Sequence, residues 1–227
     1  MDDLHRHMPS ACIFDAYGTL FDYASAAQRC GDVLGGKLEA LSSLWREKQL
    51  QYTWLRAIQD KHADFWQVTS AALDYALKKL GLETAGLRER LMDAYRTFDA
   101  FPEVPRVLRR LKKNGIKTAV LSNGSPEMLH AAISNAGIAE LLDEVLSVEE
   151  VGVYKPHLKV YQLAVDRLGV QRQNIFYQSS NAWDAWAASA FGMRVVWCNR
   201  YSQLPERLPA HPDFQGASLA DLPICGG

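Results

Sequence analysis

Asp15 ends a short apolar run, Ala11-Cys-Ile-Phe14, and opens a polar, glycine-containing turn, Asp15-Ala-Tyr-Gly18-Thr-Leu-Phe-Asp22. A carboxylate there needs no deprotonation at neutral pH and is suited to nucleophilic attack; an acid at that position can equally cap a turn. Lys155, in Lys155-Pro156, would favour the ionised carboxylate and offset repulsion from an anionic substrate, although a lysine is by default solvated. Asp184, in Ser179-Ser-Asn-Ala-Trp-Asp184, can orient or deprotonate a water, or can interact with a helix dipole from the first turn. Thr19, Ser122 and Tyr161 carry hydroxyls able to hold Asp15, Lys155 or an anionic substrate, and Thr19 is also an ordinary turn residue.

These residues need a scaffold that brings distant segments together. Lys117–Leu121 followed by Ser122-Asn-Gly-Ser-Pro126 repeats the pattern of apolar strand and polar turn, with Ser125 placed to cap and Pro126 to open a helix. Asn174–Gln178 followed by Ser179 repeats it again, and Arg194–Cys198 reads as one more strand. Helical stretches at Val104–Asn114 and Pro156–Leu168 alternate with these strands, which predicts an α/β fold with a Rossmann-like parallel sheet. Sites in such sheets form beyond the carboxyl ends of the strands. From Tyr23 to Ala100 no strand is evident. Leu41, Leu44, Trp45, Tyr52, Leu55 and Ile58, then Phe65, Val68, Ala72, Tyr75 and Leu80, recur at helical spacing. The expectation is a core domain of residues 1–22 and 101–227 with an inserted helical cap domain, 23–100, lying above those carboxyl ends. The chain after Tyr201, with four prolines, reads as irregular surface.

Composition narrows the function. The 227 residues are 48% hydrophobic and 22% charged with a net charge of −1, which excludes global disorder and predicts no nucleic-acid partner. Cys12, Cys30, Cys198 and Cys225 form no CxxC pair and no cluster with histidine, so neither zinc nor a disulfide framework is expected. Residues 1–10 have no apolar stretch typical of a secretory signal, and no run approaches the roughly 18 apolar residues of a membrane span. A soluble cytoplasmic protein without a membrane partner is expected.

The four polar segments, in order, resemble the motifs of the haloacid dehalogenase superfamily: Asp15-Ala-Tyr-Gly-Thr-Leu, Ser122-Asn-Gly-Ser, Lys155-Pro with Tyr161, and Ser179-Ser-Asn-Ala-Trp-Asp184. Asp-x-Tyr-Gly-Thr-Leu-Phe-Asp, Trp45-Arg-x-Lys-Gln-Leu50 and Ser-Ser-Asn-x-Trp-Asp are similar to the L-2-haloacid dehalogenases in particular. Phosphatases of the superfamily carry a second acid two residues after the nucleophile and another in the fourth motif to hold magnesium; here those places are Tyr17 and Ser180. Phenol and hydroxyl are poor ligands for a hard cation, so a metal-free, cofactor-free site is expected, suited to a leaving group such as halide that departs without a proton. The resemblance implies Asp15 as nucleophile and Arg46, on the first long cap helix, as the halide acceptor together with Asn123, where a surface arginine is the ordinary reading. It implies Ser179, Asn181 and Asp184 as the group that places water at an Asp15 ester, and Tyr17, Leu50, Phe65 and Trp183 as walls around the substrate's alkyl part, though each suits a core.

The chain departs from the family in Glu47, where glutamine is common, and in the bulky Trp186. Glu47 could weaken anion capture by Arg46, and Trp186 could alter packing behind Asp184. The expected activity is hydrolysis of short L-2-haloalkanoic acids to D-2-hydroxy acids by a homodimer. Hydrolysis of haloacetate, fluoroacetate or azetidine-2-carboxylate on the same nucleophile is the alternative within the subfamily. A phosphatase or a catalytically silent binding protein on this scaffold lies further off.

Overall fold

Strand β1 (Ala11–Phe14) is wholly buried and lies between β2 (Lys117–Ser122) and β4 (Ile175–Ser179), with Ile13 level with Ala119 on one side and Tyr177 on the other. In this computed structural model, which describes residues 8–23 and 28–222, the sheet runs β3-β2-β1-β4-β5-β6 and every neighbouring pair is parallel. β5 is Arg194–Cys198, the fourth of the expected strands. Two strands were not expected, β3 (Glu144–Ser147) and β6 (Phe214–Gly216), and both lie at sheet edges. β6 corrects the reading of the chain after Tyr201 as wholly irregular.

The chain runs from β1 towards β3 on one side and resumes with β4 on the other. The β1/β4 boundary is therefore the switch point, where a crevice opens beyond the carboxyl ends. Among the described residues, a four-residue helix (Gly31–Leu34) follows β1, then α1 (Leu38–Ile58), α2 (Phe65–Leu80) and α3 (Leu87–Ala94), and then α4 (Val104–Lys113), which packs on β2. The outgoing and returning chains are tied together: the Asp22 amide donates to the Asp99 carbonyl, and that of Phe101 to Leu20, each at 2.9 Å.

Helix α2 has clear stops. The Asp64 carboxylate accepts from the amides of Trp66 and Gln67, and Gly81 takes the left-handed conformation at the other end. Helix α1 buries Leu41, Trp45, Gln49 and Thr53, an i, i+4 stripe against α2, and the Trp45 indole donates to the Thr69 carbonyl at 2.9 Å. This corrects the apolar stripe expected from spacing, because Leu55, Ile58 and Tyr75 are exposed. Helices α5 (Pro126–Asn135), α6 (Leu158–Leu168) and α7 (Ala182–Phe191) complete the layers. Pro126 opens α5 as expected, but the Ser125 side chain makes no capping bond; its carbonyl instead accepts from Leu129.

Candidate active site

Asp15 projects from the end of β1 into the crevice, almost fully buried, with its amide donating to the Gln178 carbonyl of β4 at 2.9 Å. Its Oδ1 accepts from the Lys155 ammonium at 3.0 Å. Its Oδ2 accepts from the side-chain Nδ2 of Asn181 at 2.7 Å and from the Thr19 hydroxyl at 3.3 Å. Thr19 is fixed in turn, since its Oγ1 accepts from the Ser180 amide at 2.9 Å. Donors from the β1 turn, the loop before α6 and the β4 turn therefore converge on one carboxylate.

Lys155 is 1% exposed and all three of its ammonium protons are used, towards Asp15, Asp184 Oδ2 (3.1 Å) and the Tyr177 hydroxyl (2.5 Å). Its backbone amide donates to Asn123 Oδ1 at 3.0 Å, so Asn123 positions the lysine loop. Asp184, in the first turn of α7, is wholly buried, and its carboxylate also accepts from Tyr161 (2.7 Å, Oδ1) and Tyr177 (2.7 Å, Oδ2). Burial raises its pKa above the usual carboxylate value, opposed by the nearby Lys155 charge and the two phenol bonds and assisted by the Asp15 charge. Burial also raises both phenols well above their ordinary value, Asp184 adding to the effect. Tyr161 thus lies on Asp184, whereas the sequence reading placed it on Asp15, Lys155 or the substrate.

Arg46 reaches from α1 to Asn181, donating Nη2–H to Oδ1 at 3.2 Å, while Nη1 donates to Gln49 Oε1 at 2.8 Å. Its bonded neighbour across the crevice is therefore Asn181. Gln49, one helical turn on, donates to the Thr69 hydroxyl (2.7 Å) and the Tyr95 hydroxyl (2.9 Å). Glu47 turns outward with Lys48 at 3.9 Å, so its carboxylate does not engage Arg46. The Ser122 hydroxyl accepts from the Gly124 amide, and that of Ser179 from the Asn181 amide, each at 3.1 Å; both shape turns rather than touching Asp15.

Tyr17 packs against Phe21, Phe65, Tyr95 and Phe98, with the Phe65 ring stacked at 6.1 Å. A Cβ on Gly124 would lie 2.7 Å from the Tyr17 hydroxyl, so glycine is required for this ring to fit. Trp183 meets Trp54 edge-on at 5.6 Å, and Leu50 is half-buried on α1. Trp186 packs edge-on against Trp197 of β5 at 5.1 Å. Among the described residues no three His, Cys, Asp or Glu side chains converge as metal ligands. Burial raises the Tyr17 phenol well above its usual value, so it stays neutral, and the Ser180 hydroxyl is buried without a partner. Neither suits a hard divalent ion.

Sequence reasoning missed Tyr177 and Gln49. Tyr177 lies two positions before Ser179 on a strand and so shares its face, while Gln49 lies three after Arg46 on a helix. For Tyr177 the available signal was a polar tip inside an otherwise apolar run, and for Gln49 its place four residues after Trp45 on the same helix face. It also missed Arg200, whose guanidinium donates to the Thr19 carbonyl at 2.9 Å, pairs with Glu103 at 2.6 Å and stacks on Phe101.

Comparison with known proteins places this geometry in context. The family model for haloacid dehalogenase-like hydrolases matches residues 9–192. The chain is 46% identical over 214 residues to (S)-2-haloacid dehalogenase 1 of Pseudomonas sp. (strain CBS-3), covering 94% of each. It is 39% identical over 205 residues to haloacetate dehalogenase H-2 of Moraxella sp. (strain B), covering 90% of this chain and 92% of that one. The solved structure of L-2-haloacid dehalogenase from Xanthobacter autotrophicus with chloropropionic acid covalently bound superposes with a TM-score of 0.88 at 37% identity, covering 95% of this chain and 97% of that one.

Proposed function

The chain belongs to the haloacid dehalogenase-like hydrolases, and on that premise we propose that it hydrolyses short L-2-haloalkanoic acids to D-2-hydroxy acids through an ester on Asp15. The observation that carries this reading is the setting of Asp15: one buried carboxylate, oriented by Lys155, Asn181 and Thr19, with the Arg46 guanidinium bonded to the same asparagine.

In the first half of the reaction an Asp15 oxygen bonds to C2 as the carbon–halogen bond breaks, and the halide leaves with the bonding pair towards Arg46. The substrate carboxylate is met by the positive charge of Lys155 and the hydroxyl of Ser122, and its alkyl part by Tyr17, Leu50, Phe65 and Trp183. In the second half water adds to the ester carbonyl, Asp184 takes its proton, and cleavage of the acyl–oxygen bond releases the hydroxy acid. Ser179 and Asn181 hold the turn that delivers this water. Neither half calls for a metal or cofactor.

Of the described residues, those up to 22 and from 101 onwards form the core of this scheme, and those within 23–100 its cap. The reading extends to a cytoplasmic homodimer: among the described residues no helix is long and apolar enough to cross a membrane, and exposed Leu55, Ile58 and Tyr75 offer apolar surface on the cap to a second copy. Light scattering tests the dimer. The activity test is halide release from L-2-chloropropionate with D-lactate as product, undiminished by exhaustive chelation and absent with the D-enantiomer. Release that requires magnesium, or phosphate-ester hydrolysis in its place, overturns the reading.

A further inference from the structure

Tyr177 stands on β4, level with Ile13 of β1 and Val195 of β5, so its ring is carried by the middle of the sheet and is wholly buried. Its hydroxyl closes a triangle. It accepts from Lys155 Nζ at 2.5 Å and donates to Asp184 Oδ2 at 2.7 Å, while the same Nζ donates to the same Oδ2 at 3.1 Å. In the free enzyme Asp15 also orients Lys155, but esterification removes the charge of Asp15 and weakens that hold. Tyr177 and Asp184 then remain as the partners that fix the ammonium.

We propose that Tyr177 is a positioning residue for ester opening, its hydroxyl locking Asp184 and Lys155 in register with Asp15 once Asp15 has been esterified. The inference rests on the proposed haloacid reaction. In that step the water oxygen bonds to the Asp15 carbonyl carbon and its proton passes to Asp184. The acyl–oxygen bond then breaks, and the proton goes to the departing alkoxide to give the hydroxy acid. The groups facing Asp184 are Lys155 from the loop before α6, Tyr161 from α6, Tyr177 from β4 and Asp15 after β1. Burial makes Asp184 harder to ionise, and each phenol bond opposes this. Loss of the Tyr177 hydroxyl therefore moves the acid limb of ester opening to higher pH.

The test is Tyr177→Phe in rapid-quench turnover of L-2-chloropropionate by the full chain. Chloride should appear in a first-turnover burst at the wild-type rate, while lactate release slows at least about tenfold and its acid limb rises by roughly one pH unit. Equal slowing of both phases with an unshifted pH profile overturns the proposal. If the phenylalanine variant fails to fold, 3-fluorotyrosine installed at Tyr177 keeps the ring and makes the phenol a stronger donor, so the acid limb must move to lower pH; no movement overturns it. Carbon-13 titration of the Asp184 carboxyl in substrate-free protein separates the two claims. Absence of chloride release by wild type defeats the reaction, whereas an unaltered Asp184 titration in the variant defeats the role of Tyr177.

Discussion

Every group that touches the Asp15 carboxylate is a hydrogen-bond donor, from Lys155, Asn181 and Thr19. Asp15→Asn would set an NH2 group against at least one of those donors and would replace the carboxylate with a neutral amide, a poor nucleophile. Turnover should fall by several orders of magnitude while circular dichroism stays native; near-normal activity in freshly purified, undeamidated protein would remove Asp15 from this role. Arg46 raises a question of shape as well as charge, because its two terminal nitrogens serve different partners, Gln49 and Asn181, and Gln49 is itself held by Thr69 and Tyr95. Lysine offers a point charge without the planar fork and leaves one partner unserved. Arg46→Lys should therefore lower kcat/KM by roughly 10- to 100-fold, the effect of losing a charge-assisted bond, and a variant with most of the wild-type value would show that another donor receives the halide.

At the scale of the elements, the turn that carries Asp15 is fastened from the far side of the sheet. Arg200, just after β5, holds the Thr19 carbonyl, pairs with Glu103 at the start of α4 and lies on the ring of Phe101, where the chain returns after α3. Arg200→Ala leaves Glu103 without its ion-pair partner, with only the Leu219 amide at 3.4 Å, and frees the turn, so urea denaturation should show about 2 kcal/mol of lost stability, with kcat reduced beside it. Unchanged stability would mean that the turn is held by its own backbone bonds. The arginine was not legible in the sequence because it follows a strand in a polar stretch, where charge is expected to face water. The strands that were legible, β1, β2, β4 and β5, lie inside the sheet and are predominantly apolar. Those that were not, β3 and β6, are edge strands of four and three residues in which burial is incomplete and the hydrophobic signal weak. Helices α1 and α2 were found by spacing, yet the buried stripe of α1 passes through Gln49 and Thr53, because a satisfied polar network packs as well as leucine there. The proposed site positions were visible as motifs; their pairings, such as Tyr161 on Asp184, depend on which loops the parallel order brings together.

For the whole molecule, the decisive issue is which atom attacks carbon, since direct attack of water on C2 and attack by Asp15 both invert that centre and use the same residues. The architecture favours the carboxylate. Asp15 sits at the switch point and is oriented by donors on three sides, whereas a water aligned with C2 would need a base of its own. The other buried acid of the cluster, Asp184, lies behind Lys155, with both oxygens already receiving phenol hydrogen bonds, which suits it to the later step at the ester carbonyl. The two routes differ in the origin of oxygen. Ester opening breaks the bond between the Asp15 carbonyl carbon and the ester oxygen, so the hydroxyl delivered to product comes from the enzyme and is replaced there by solvent oxygen. With enzyme in excess over L-2-chloropropionate in oxygen-18 water, first-turnover lactate should carry no label at C2, and mass spectrometry should find one labelled oxygen in the peptide containing Asp15. Label in the lactate hydroxyl on the first turnover, with none in that peptide, would establish direct attack by water and leave Asp15 as its base.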